Sequence, residues 1–184
     1  MVKTNPIPCS KEEIDRIIEC AMINSDDFAV MLFNVAKKTG RRLGEYYEVK
    51  VSDIDFERKI MMTKVLKRRK KIEKEALLDN ELVHLIKSYI VKNHLKLDDY
   101  LFRKVSYRQI QNKVKFYARK AKIPHNVTFH NFRHYFVTEL FKKGLTYDKI
   151  AKLTGHSSVG TLAAYDHSVA SDIVDEVRKD IEEL

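Results

Sequence analysis

The stretch "TFHNFRHYFVTELFKKG", residues 128–144, decides how this chain is read. Phe132, Phe136 and Leu140 step by four, the apolar stripe of a helix. Thr128 is placed to cap its start and Gly144 to end it as the residue just past the last turn. Inside lies "HNFRH", residues 130–134. His130 and His134, four apart, share a face and could form half a metal site. His130 and Arg133, three apart, also share a face, and that pair suits an anionic phosphate. A catalytic zinc needs a third ligand and usually a carboxylate base, yet Asn131 stands where an HExxH helix places glutamate. Arg133 would also repel a cation. The phosphate reading is therefore preferred and no metal is expected, with a metal hydrolase built on His130 and His134 kept as a rival.

Composition points the same way. Among 184 residues there are 35 Lys and Arg against 26 Asp and Glu, a net charge of +9. A basic balance favours a polyanionic partner, nucleic acid before anionic membrane. No run of eighteen apolar residues occurs, so no membrane span is expected. The N-terminus "MVKTNPIPCSKEEID" lacks an apolar signal core, which predicts a cytoplasmic protein, and the basic balance predicts that it is DNA-associated. Cys9 and Cys20 make no metal-ligand spacing and read as reduced thiols. The length fits a single domain over 1–184.

Outward from the central helix, other elements follow. Ser10 and Glu13 make a capping box before Ile14, Ile17, Ile18 and Ala21. "NSDD" starts a second helix with Phe28, Met31, Leu32 and Val35 inward, interrupted at Gly40 and Gly44. "YYEVKVSDIDF" alternates like a strand at its start, then turns around Asp53 to Asp55. "KIMMTKVLK" reads as a strand, "RRKK" as a hairpin tip and "IEKEALL" as the return strand. Asp79 or Asn80 caps a helix carrying Leu82, Leu85, Ile86, Tyr89 and Ile90. Ile110, Val114 and Tyr117 mark the next, and Thr146 caps a short one that Gly155 ends. Further helices are expected from Ser157 and over Ile173 to Ile181. The fold class is mainly α with a small antiparallel β-sheet (α+β).

Three separated segments hold the polar residues of interest: "TGRRLGE" (39–45), "HNFRH" and "TGHSSVGTLAAY" (154–165). Their order and gaps resemble the tyrosine recombinase, or phage integrase, family. That pattern has Thr-Gly-x-Arg-x-x-Glu, then His-x-x-Arg, then Gly-His with a tyrosine nine residues on. Arg42 and Glu45 match the first part, His130 and Arg133 the second, His156 and Tyr165 the third. The resemblance runs from about Ser10 onward. It implies the tyrosine recombinase catalytic-domain fold and a site-specific recombinase that cleaves and rejoins duplex DNA through a 3′-phosphotyrosine, without metal, ATP or other cofactor.

The family's roles carry over position by position. Tyr165 is the nucleophile, Arg42 and Arg133 clamp the scissile phosphate, His130 moves a proton, and His156 donates to a non-bridging oxygen. The family's hairpin lysine falls on Lys67 by spacing from Arg42, with Lys64 second and Lys70 or Lys71 open. Glu45 would orient Arg42 or a nearby histidine, and His134 is a supporting residue. The chemistry fits: arginines hold their charge at any working pH, histidines transfer protons near neutrality, and a lysine can protonate a leaving oxygen. The resemblance also implies a homo-tetramer on synapsed DNA, with the segment from about Ala170 packing in trans or in cis. The family's N-terminal core-binding domain is expected to be absent. A type IB topoisomerase-like relaxing activity and a non-catalytic DNA-binding regulator are the alternatives.

Overall fold

The computed structural model describes residues 7–67 and 70–155, with the backbone alone for 65–67 and 70–72. Seven α-helices, a 3-10 turn (Val51–Asp53) and three strands fall within them: α1 (Lys11–Ile23), α2 (Asp27–Thr39), α3 (Leu43–Tyr47), β1 (Ile54–Asp55), β2 (Ile60–Lys67), β3 (Lys70–Leu77), α4 (Asn80–Lys92), α5 (Tyr107–Lys120), α6 (Phe129–Lys142) and α7 (Tyr147–Thr154). The sheet is antiparallel with order β1-β2-β3, and Thr63 lies opposite Lys74 in the β2–β3 register.

Local chemistry explains most boundaries. Ser10 Oγ accepts from Glu13 N while Glu13 accepts from Ser10 N, which closes the box that starts α1. Asp26 caps α2 through Ala29 N and also accepts from Tyr117 Oη at 2.8 Å, tying α2 to α5. Ser106 and Gln109 form a second such box at α5. Helices α1, α2, α5 and α6 enclose the core, where Ile14, Ile17, Phe33, Val114 and Phe132 are fully buried. Removing such side chains from water is the main stabilising term.

One expectation fails. "YYEVKV" does not begin as a strand: residues 43–47 are helical, and strand β1 starts only at Ile54. Tyr46 is the reason. Its buried hydroxyl accepts from Arg41 N at 2.9 Å and bonds Thr39 Oγ1 at 2.6 Å, winding the chain back onto the end of α2. Val49 and Val51 then bond the 99–101 segment instead of a neighbouring strand. Tertiary contacts thus override the local alternation. Arg68 and Arg69 of the expected hairpin tip, and the helices expected beyond Ser157, lie outside the described residues. No helix among the described residues is long and apolar enough to cross a membrane.

Candidate functional site

The site forms where α2 ends, α6 begins and α7 stops. Gly40 ends α2 in the left-handed conformation (φ 60°). A side chain there would be strained, and a Cβ would sit 2.3 Å from Phe136 Cδ1. The turn therefore lies directly on α6, one turn beyond Phe132. Gly155 ends α7 in the same way (φ 75°).

Arg133 joins these turns. Its guanidinium is 1% exposed. Nη1 donates to Gly40 O at 2.9 Å and to Thr154 O at 2.8 Å. One side chain on α6 thus fixes both the Thr-Gly turn and the last residue before Gly155.

Arg42 sits at the start of α3 with its side chain 48% exposed, against 5% for Glu45. Glu45 Oε1 accepts from Arg42 Nη1 at 3.3 Å and Oε2 from Arg42 N at 3.4 Å. A buried carboxylate thereby orients a solvent-facing guanidinium. His130 lies in the first turn of α6, where helix amides favour anions. Its pKa is lowered, first by loss of hydration around the ring and then by the charges of Arg133 and Arg42. The residue as a whole is still exposed. His134 is half-buried; its Nδ1 meets Thr138 Oγ1 at 3.4 Å, and burial followed by the charge of His130 lowers its pKa.

Arg42, His130 and Arg133 line one cavity of about 350 Å³. It also takes in Arg41 and three residues of α5: Tyr107, Gln111 and Lys115. Sequence reasoning missed these four. The α5 residues recur every four positions along the flank of the buried Ile110–Val114 stripe, a pattern shared by the border of any amphipathic helix. The Thr-Gly-x-Arg register selects Arg42, so Arg41 beside it reads as one more cation of a basic run. Yet Arg41 is 1% exposed. It donates from Nη2 to Glu75 O on β3, and Nη1 lies 2.8 Å from where a Cβ on Gly155 would fall. Its Nε and Nη1 have no hydrogen-bond partner among the described residues, and burial lowers its pKa.

The lysines divide. Lys64 Nζ bonds Asp53 Oδ1 at 2.6 Å, which raises its pKa. Lys67 is the last residue of β2, in register with Lys70. His156 and Tyr165 lie outside the described residues; the described chain stops at Gly155, one residue before His156.

With three guanidinium groups, an imidazole and a lysine in its lining, the cavity carries the charge to receive an anion. Known proteins agree in sequence and shape. Tyrosine recombinase XerA of Pyrococcus furiosus is 28% identical over 190 residues, covering 96% of this chain and 63% of that protein. XerA of Saccharolobus solfataricus is 28% identical over 167 residues, covering 91% and 54%. The chain thus spans just over half to under two thirds of the length of these relatives. A crystal structure of XerA recombinase matches with a TM-score of 0.79 at 29% identity, over 95% of this chain and 66% of that one. A lambda integrase dimer bound to a COC′ core site matches in fold, with a TM-score of 0.69 at 17% identity over 90% and 49%. The model of the phage integrase family matches residues 9–171, which take in all three motif segments, and the chain belongs to that family.

Proposed function

We propose that this chain is the catalytic domain of a site-specific tyrosine recombinase acting on duplex DNA. The observation that supports the proposal is the pair of bonds from Arg133 to Gly40 and Thr154, which ties the Thr-Gly turn and the end of α7 to α6, beside a cavity that Arg42, His130 and Arg133 line. The relatives named above are recombinases, which favours strand exchange over a topoisomerase or a non-catalytic regulator.

Each residue has a role in the reaction. Tyr165 Oη attacks the scissile phosphorus; the bond from phosphorus to the 5′ oxygen breaks and a 3′-phosphotyrosine forms. The phenol, with an ordinary pKa of about 10, loses its proton during the attack. His130 receives it or holds a phosphate oxygen, and its lowered pKa favours the neutral ring that can accept a proton. Arg42 and Arg133 stabilise the charge that gathers on the non-bridging oxygens, and His156 donates to one of them. Lys67 protonates the departing 5′ oxygen. Lys64 is the weaker candidate because Asp53 already holds its ammonium. Religation runs the same steps backwards, so the bond energy is conserved and no ATP is consumed.

The partners are proposed on the same footing. Structural neighbours include XerH bound to difH substrate and a lambda integrase tetramer bound to a Holliday junction. We take the working form here to be a tetramer on two synapsed duplexes. The test is covalent trapping on nicked duplexes selected from a random-sequence pool by retention on the protein. Wild type should give an SDS-resistant adduct without added metal, and Tyr165→Phe should give none. An adduct that persisted in the phenylalanine variant would overturn the assignment.

A further inference from the structure

Away from the cationic cavity, three other chemically capable groups converge. Cys9 precedes α1, Glu13 lies in its first turn, and His125 sits in the loop between α5 and α6. One ligand atom from each can be chosen so that all three lie within 4.8 Å of one another. No other group of three or more His, Cys, Asp or Glu ligands comes together in this way among the described residues. Sequence spacing gave no hint of it, because the three come from separate segments.

We propose that Cys9, Glu13 and His125 bind a zinc-class divalent cation that fastens the chain entering α1 to the loop entering α6. A thiolate, an imidazole and a carboxylate are the donor types zinc accepts, whereas calcium and magnesium demand oxygen alone. Bond lengths of about 2.0–2.3 Å put tetrahedral ligand atoms roughly 3.3–3.8 Å apart, so the group needs to close by about an ångström.

Supporting contacts already hold the donors. Glu13 accepts from Ser10 N at 3.0 Å and sits 3.2 Å from His125 Nε2. Asn131, placed by bonds to Ile7 O and Thr128 N, lies against the Cys9 thiol. Such outer contacts orient metal ligands in known sites. His125 Nδ1 is buried with no hydrogen-bond partner among the described residues, so the ring is incompletely satisfied as it stands. Cys9 is only 5% exposed, and burial and the nearby Glu13 push its thiol up to about 12. A cation reverses that preference by stabilising the thiolate. A cavity of about 520 Å³, lined by Cys9, Ser10, Thr138 and Glu139 among others, lies beside the group on the Cys9 side.

The site is independent of strand cleavage, so its test is a binding test. The whole chain is stripped with a chelator, kept reduced without thiols, and titrated with zinc against a chromophoric competitor. Wild type, Tyr165→Phe and Cys20→Ser should each bind one equivalent and gain thermal stability. Cys9→Ser and His125→Gln should bind at least about tenfold more weakly and gain none. Equal binding by wild type and Cys9→Ser, or no binding by wild type at micromolar zinc, would overturn the proposal. If either variant loses its fold, the cobalt spectrum of Cys20→Ser decides. A thiolate charge-transfer band supports the site, and its absence sinks it.

Discussion

Arg133 Nη1 donates to the carbonyl oxygen of Gly40 at 2.9 Å, across 93 residues of sequence. The same nitrogen reaches Thr154 O, so the bond is one arm of a bridge between two turns. Arg133→Ala should therefore be both unstable and inactive. Each buried carbonyl that loses a charged donor costs about 1–3 kcal/mol. Cleavage should fall by about a hundredfold or more, the usual scale for losing one stabilising donor. Arg133→Lys should recover stability better than activity, since an ammonium lacks the planar fork. Urea unfolding and covalent trapping on the same samples would check this. An alanine variant as stable as wild type would show that the bridge contributes nothing.

Gly40 and Gly44 lie four residues apart and should respond oppositely to alanine. At Gly40 the added Cβ meets Phe136 at 2.3 Å and the backbone is left-handed. Gly40→Ala should cost about 1–3 kcal/mol from strain and overpacking. At Gly44, inside α3, a Cβ meets nothing within 4 Å. Gly44→Ala should stabilise by about 0.4–1 kcal/mol through the unfolded chain. Thermal or urea denaturation reads both, and equal effects would contradict the contrast.

Both glycines read in the sequence as interruptions, and the structure separates a stop at Gly40 from a position in the first turn of α3 at Gly44. Much else was legible: the box at Ser10 and Glu13 and the ends at Gly144 and Gly155 rest on contacts within a few residues, while the strand from Ile60 and the stripe through Phe132 show as local sequence pattern. What the sequence hid depends on long-range partners. Tyr46 bends its segment through bonds to Thr39 and Arg41, and no periodicity announces that. The α5 residues Tyr107, Gln111 and Lys115 face the cavity only because α5 packs beside α3. Cys9, Glu13 and His125 meet only in three dimensions.

Arg41 and Arg42 are adjacent, yet they should separate stability from chemistry. Arg41 is buried, short of partners among the described residues, and in a place that disfavours its charge. Arg41→Met removes a desolvated cation but leaves Glu75 O without that donor, so the two terms offset to within about 1–2 kcal/mol. Arg42 is half-exposed and its ion pair with Glu45 contributes little to folding, about 1 kcal/mol or less. Arg42→Ala should nonetheless lose about a hundredfold or more in covalent trapping. Loss of trapping in Arg41→Met with Arg42→Ala still active would move the clamp to Arg41.

His130 should titrate below the ordinary histidine value of 6.5, because lost hydration and the charges of Arg133 and Arg42 disfavour its protonated form. The sign for stability follows from linkage. Between the lowered folded pKa and 6.5 the unfolded chain binds more protons, so stability rises with pH across that window. Above 6.5 the contribution is complete, and it is lost as pH falls toward the folded pKa. His134 shifts in the same direction from burial and from His130, so it adds to the slope. His130→Gln should flatten part of that slope and leave the His134 part. NMR of the ring would place the midpoint directly, and a bound DNA phosphate should raise it by offsetting the two arginines. A midpoint above 6.5 in the free chain, or a fall on binding phosphate, would contradict this account of the site.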